Sequence, residues 1–153
     1  MSHGSQAVAR WARYLGALAL LGVGVDHLEQ FYVDSYSVVP VIGTLFAVNF
    51  GSAAAIAAGL AAPVQRLPGR VGRLALPLLS LAGVGVAAGT LAGLLISETS
   101  GLFGFMETGY RPAMIVSIGL EASVVALLGL HLALGARRSR RASGARGTVT
   151  AGN

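Results

Sequence analysis

The chain has 153 residues, of which 54% are hydrophobic and only 11% charged, and its mean hydropathy is +0.71. Soluble domains carry about 25% charged residues, and a small water-soluble fold with so little charge would expose large apolar patches; this composition excludes an ordinary soluble domain and fits one compact domain in a bilayer. A pI near 10.8 does not point to nucleic acid, because the arginines flank apolar segments rather than forming one basic face, and the absence of cysteine removes disulfides, thiol catalysis and thiolate metal ligation.

Residues 1–10 are small and polar and are expected to lack structure. A first apolar span covers about residues 11–33. It resembles a signal peptide at its start, but it runs directly into Asp26-His27-Leu28-Glu29-Gln30 without a small-residue cleavage site, so it reads as a retained anchor. The second span covers about 38–62 and ends at Pro63. The third covers about 74–96, with Pro77 in its first turn. The fourth covers about 113–134 and is opened by Pro112, where a missing N–H costs nothing. Each is long enough to cross a hydrocarbon core of about 30 Å at about 1.5 Å per residue. Residues 137–153 are Arg-, Ser- and Gly-rich and are expected to be disordered. The fold class is therefore all-α, a four-helix transmembrane bundle.

Charge sets the expected orientation. All 11 Lys+Arg residues are arginine. Ten fall at the N-terminus (Arg10, Arg13), in one short loop (Arg66, Arg70, Arg73) or in the tail (Arg137, Arg138, Arg140, Arg141, Arg146). The positive-inside rule puts both termini and that loop in the cytoplasm, with the protein in the cell (inner) membrane. Trp11 and Tyr14 then mark the inner boundary. Phe31, Tyr32, Tyr36, Phe103, Phe105 and Tyr110 mark the outer one. The basic tail Arg137–Arg146 is expected to meet anionic lipid.

Helices in lipid associate through close backbone approach. The second span places small residues every fourth position at Gly43, Ala47, Gly51, Ala55 and Gly59, the third carries Gly85, Gly89 and Gly93, and the first has Gly16, Gly22 and Gly24. These faces are expected to pack within the bundle, or to serve a homo-oligomer or a larger membrane complex.

Ionisable and amide groups inside the spans are the candidate site. Glu121 lies about nine residues from the outer end of the fourth span, and about 13 Å deep. It reads either as a protonatable or cation-binding carboxyl or as a protonated acid bonded to a neighbouring helix. Asn49 reaches nearly the same depth and can donate to and accept from a carboxyl group; a structural interhelical bond is its alternative. Asp26, His27 and Gln30 share neighbouring faces in the last turns of the first span, where His27 would be the group titrating near neutral pH or part of a polar helix end. His27 has no His, Asp or Glu three or four residues away, so no metal site is expected. No cofactor motif is present either. Arg111, the one outward arginine, has Asp34 and Glu107 as expected partners. Ser80, Ser117 and Ser123 have no paired histidine, and no nucleophile with its base is visible.

The stretches His27-Leu28, Tyr36 and Pro40-Val41-Ile42-Gly43-Thr44-Leu45-Phe46 with Asn49, and Gly89-Thr90-Leu91-Ala92-Gly93-Leu94 followed by Gly101-Leu102-Phe103-Gly104-Phe105-Met106-Glu107, resemble an uncharacterised family of small four-span integral membrane proteins of actinobacteria. The resemblance implies the architecture and no activity. The expected function is a non-enzymatic accessory or interaction subunit. The alternative is a small transporter, or a proton- or ligand-handling protein, built on Glu121, Asn49, His27, Asp26 and Gln30. The two differ in one geometric respect: whether those side chains surround a common cavity.

Overall fold

The computed structural model describes residues 3–106 and 111–150. It contains α1 (His3–Val33), α2 (Ile42–Ala61), α3 (Gly69–Thr99) and α4 (Pro112–Thr150), with single 3-10 turns at Tyr36–Val38 and Val64–Arg66. All four helices are long and apolar enough to cross a membrane. α2, with 20 residues, spans about 30 Å, the thickness of the hydrocarbon core. Their outward faces carry large apolar side chains such as Leu18, Val48, Leu81 and Ile115, a surface that suits lipid tails rather than water.

Several boundaries differ from the sequence expectation. Residues 3–10 are not an unstructured leader: α1 begins at His3. At the other end α4 continues to Thr150 rather than stopping before a disordered tail. In both places alanine and arginine are strong helix formers, and no proline interrupts the turns that lead out of the span. α2 begins later than expected, because the chain around Pro40 is taken up by the 3-10 turn and by Val41 at φ 67°. α3 begins earlier, at Gly69 just after Pro68. Glu107, Tyr110 and the side chains of Arg141 and Arg146 lie outside the described residues.

The helices form a ring in which α1 packs on α2 and α4, and α3 closes the ring between α2 and α4. Of the neighbouring pairs, α2 and α3 touch least. The inward residues follow alternating steps of three and four, the period of a left-handed bundle. On α4 they are Met114, Ser117, Glu121, Val124 and Leu128, all buried. In the half of the bundle nearer the termini this seam is apolar except for Ser80 of α3. Leu20 and Val23, Ala53, Ala57 and Leu60, Ala87, and Val124 and Leu128 make one core.

Close helix contact falls on Gly16 and Gly43, which were expected to pack, and on Gly83, which was not. A Cβ at Gly83 would lie 2.7 Å from Leu128 Cδ1, and one at Gly16 would lie 2.5 Å from Leu128 Cδ2. Gly43 packs against backbone, where a Cβ would meet the Tyr36 carbonyl oxygen at 2.7 Å. Gly51, Gly85 and Gly89, expected to pack between helices of the bundle, face open space, with nothing within 4 Å of a Cβ at any of them. Gly93 meets only Leu102 Cδ2, at 3.9 Å. The reason is rotational. The inward stripe of α3 passes through Ser80, Gly83 and Ala87, which turns Gly85 and Gly89 toward the loose α2–α3 side.

Candidate functional site

In the half of the bundle nearer the 34–41 and 100–111 connections, the same inward seam turns polar on every helix. α1 continues from Val23 to His27 and Gln30, α2 ends in Asn49, α3 adds Thr90 and Ser97, and α4 adds Glu121 and Ser117. These side chains line a cavity of about 350 Å³. Its remaining wall is apolar and includes Ile42, Leu45, Phe46, Val86, Leu94 and Met114. Gly85 and Gly89 of α3 and Leu45 and Val48 of α2 both line the cavity and are exposed. The cavity therefore opens sideways, between α2 and α3, onto the lipid-facing surface.

Asp26, Gln30 and Ser117 form a clasp between α1 and α4. The four-residue spacing on α1 lets Gln30 Nε2 donate to Asp26 Oδ2 at 2.8 Å, and the same amide donates to Ser117 Oγ at 3.0 Å. The Ser117 hydroxyl in turn donates to Asp26 Oδ2. All three side chains are buried, so these bonds replace the hydration that Asp26 would otherwise lose. Asp26 is thereby held in the helix interface and does not line the cavity, whereas Gln30 and Ser117 do.

His27 is oriented by its own helix. Its Nδ1–H donates to the Val23 carbonyl oxygen at 2.9 Å, and that bond directs Nε2 across the cavity toward Glu121 Oε1, 4.0 Å away. At this separation the two are close but not hydrogen-bonded. The imidazole also packs on Phe46, with ring centroids 4.9 Å apart. Glu121 is only 2% exposed, and the Thr90 hydroxyl lies within hydrogen-bonding reach of its carboxyl group. Thr90 Oγ1 also sits 3.0 Å from both the Val86 and Ala87 carbonyl oxygens, to which it can donate. Asn49, 7% exposed, lines the same cavity, and its buried Oδ1 has no hydrogen-bond partner. The two seams, α1 against α4 and α2 against α3, thus bring Glu121, His27 and Asn49 to one space.

An aromatic stack closes the end nearer the connections. Tyr36 stacks on Phe46 with centroids 4.8 Å apart, and Phe105 meets Tyr36 edge-on at 5.5 Å. The 101–105 turn that carries Phe105 has Gly101 and Gly104 at positive φ, a conformation that glycine takes without steric cost. Arg111 pins this lid: Nη2 donates to the Tyr36 hydroxyl oxygen at 2.5 Å, and Nη1 lies 3.1 Å from Asp34 Oδ2. Asp34 is therefore the partner of Arg111 that the structure describes.

The expected residues Glu121, Asn49, His27 and Gln30 are brought together, and Asp26 supports them from behind. Ser117, Thr90, Tyr36 and Phe46 were not anticipated. Ser117 had a visible signal, since it lies four residues before Glu121 and so on the same helix face. Tyr36 and Phe46 had none, because their place depends on the turn between α1 and α2. His131 bridges α4 and α1: its Nδ1 donates to the Ala9 carbonyl oxygen at 2.9 Å. Among the described residues no group of three or more His, Cys, Asp and Glu side chains is placed to hold a metal ion.

Comparison of the chain with protein-family models, with curated proteins and with solved structures gave no match.

Proposed function

We propose that this multi-pass membrane protein is a small-molecule-handling protein, a binding protein or carrier, whose ligand occupies the cavity against Glu121, His27 and Asn49. The observation that carries this reading is the shared cavity. Separate helices deliver a carboxyl group, an imidazole and an amide with an unpartnered oxygen to one cavity with an apolar wall, the usual composition of a ligand site. Intramembrane ionisable residues that face a cavity rather than lipid mark substrate or proton paths in other membrane proteins. The accessory-subunit reading drew its support from the lack of a visible catalytic constellation and from close-packing glycine faces. Gly85 and Gly89 now have another occupation, as the wall of a lateral opening. The arginine distribution supports cytoplasmic termini in the cell membrane, which puts the aromatic lid on the outer side.

The chain contains no cysteine, so single-cysteine accessibility tests the cavity without background. Ser52 lines it, whereas Leu81 is exposed on the outer face of α3. In lipid nanodiscs, Ser52→Cys should react with methyl methanethiosulfonate much faster than Leu81→Cys, and adding Gly89→Leu should slow Ser52→Cys to the Leu81→Cys rate. Equal rates at the two cysteines, or no effect of Gly89→Leu, would remove the basis of this reading.

A further inference from the structure

The hydrogen-bonding inventory of the cavity is lopsided. Several of its protein donors are engaged elsewhere, while the Asn49 Nδ2 amide and the Ser52 hydroxyl remain beside it. His27 Nδ1–H is used by the Val23 carbonyl. Gln30 Nε2 is used by Asp26 and Ser117. The Ser117 hydroxyl is used by Asp26, and the Thr90 hydroxyl faces backbone carbonyls of its own helix. Three groups present acceptor atoms to the cavity. With Nδ1 carrying the proton, His27 Nε2 presents a lone pair. Glu121 presents carboxyl oxygens, and Asn49 Oδ1 has no partner. No arginine lines the cavity among the described residues, so none is paired there with the Glu121 carboxyl group.

We propose that the ligand is a lipophilic amine. This rests on the reading of the cavity as a ligand site and deepens it by naming the ligand's chemistry. A primary ammonium has three N–H donors and no acceptor, and the cavity offers it Glu121, His27 Nε2 and Asn49 Oδ1. The apolar body of the amine lies against Phe46, Leu94 and Met114, with the Tyr36 and Phe105 rings at the closed end. The volume of about 350 Å³ is at the small end of ligand pockets, which selects one ring system or a short alkyl body. The opening between α2 and α3 faces the hydrocarbon, where such a molecule concentrates as the neutral amine. On docking, the amine nitrogen takes the proton from the Glu121 carboxylic acid. The product is an ammonium–carboxylate pair with the same total of protons and no net charge, so no uncompensated ion enters the low-dielectric interior. An anionic ligand would enter a cavity with no arginine in its wall to answer its charge.

The test is protection of Ser52→Cys from methyl methanethiosulfonate in nanodiscs by three isosteric probes: 1-naphthylmethylamine, 1-naphthylmethanol and 1-naphthoate. The amine should slow modification saturably, and at matched membrane concentration the alcohol and the acid should protect at least roughly tenfold more weakly, a factor equal to about 1.4 kcal/mol. Glu121→Gln in the Ser52→Cys background should abolish the amine's advantage over the alcohol. Asn49→Leu should weaken amine protection and leave Glu121 in place, so the assignment remains testable if Glu121→Gln fails to fold. Protection by the alcohol or the acid equal to that by the amine, or an amine preference that survives Glu121→Gln, overturns the proposal. If no probe protects while Ser52→Cys is reactive and Gly89→Leu blocks it, the amine assignment fails and the cavity reading stands. An unreactive Ser52→Cys overturns both.

Discussion

Gly83 and Gly89 lie on the same helix, and the same substitution should stabilise the protein at Gly89 but not at Gly83. Replacing glycine by alanine inside a helix gains roughly 0.8–1 kcal/mol of intrinsic propensity. At Gly89 the new methyl group meets nothing within 4 Å, so Gly89→Ala should keep that gain and stabilise the protein by about 1 kcal/mol. At Gly83 the Cβ would sit 2.7 Å from Leu128 Cδ1 and 3.2 Å from Leu20 Cδ2. Both leucines are fully buried and have nowhere to swing. Overpacking of this kind costs roughly 1–3 kcal/mol. Set against the propensity gain, Gly83→Ala should range from neutral to a loss of about 2 kcal/mol. The two variants should therefore differ by about 1–3 kcal/mol. The assay is reversible unfolding in mixed micelles titrated with a denaturing detergent, followed by the helical circular dichroism band. If Gly89→Ala destabilises as much as Gly83→Ala, the Gly85–Gly89 face is packed against something the single chain lacks, a second copy above all. The lateral opening would then be an interface.

The Asn49 amide carries an unsatisfied buried oxygen, which costs roughly 1–3 kcal/mol; Asn49→Leu should leave stability equal or higher in the same titration, and a clear loss would mean that Asn49 holds helices together. Gln30→Leu removes the donor that serves both Asp26 and Ser117, and a loss of about 1–3 kcal/mol is expected; a neutral result would break the clasp argument. Arg111→Gln should change stability by less than about 1 kcal/mol, because its pair with Asp34 is partly exposed, yet it should speed modification of Ser52→Cys by freeing Tyr36; an unchanged rate would mean that the aromatic stack does not govern access. For orientation, a membrane-impermeant maleimide on intact cells should label Ser35→Cys and spare Ser139→Cys, and the reverse pattern would invert the topology.

The architecture was legible because bilayer physics acts on coarse properties. Twenty or so apolar residues in a row, with arginines at alternate ends, admit few alternatives, and all four spans appear as helices. The site was legible only as a set of depths. Glu121 and Asn49 were matched by distance from the helix ends, which says nothing about which way either one faces. The missing signal was the rotational phase of each helix, and it was present in the sequence. On α4 the buried positions Met114, Ser117, Glu121, Val124 and Leu128 step by three and four. On α1, Leu20, Val23, His27 and Gln30 do the same. A seam traced through these steps places Ser117 beside Glu121 and His27 beside both. Reading glycines at every fourth residue instead followed a stripe that drifts around the helix. It selected Gly85 and Gly89 over Gly83, the glycine that Leu20 and Leu128 actually touch. The turn at Tyr36 and the lid around Phe105 depend on positive-φ residues such as Ser35 and Val41, which no periodicity reports.

The polar half of the seam is difficult to explain as stabilisation. Interhelical hydrogen bonds in membrane proteins contribute on average only about 0.6 kcal/mol, while placing an acidic residue in the middle of a transmembrane helix costs roughly 2.5–3.5 kcal/mol on insertion scales. Asp26 recovers part of that cost through Gln30 and Ser117. Glu121 has no comparable set of donors, and Asn49 Oδ1 has no partner at all. The apolar core of the other half shows that alanine, valine and leucine at the same seam positions pack into one cluster around Leu20, Leu60 and Leu128. Carrying that pattern one or two turns further would have filled the cavity and removed the buried acid. A seam that instead becomes polar at one level on every helix, and leaves its acceptors unpaired there, has the energetics of a binding site awaiting donors.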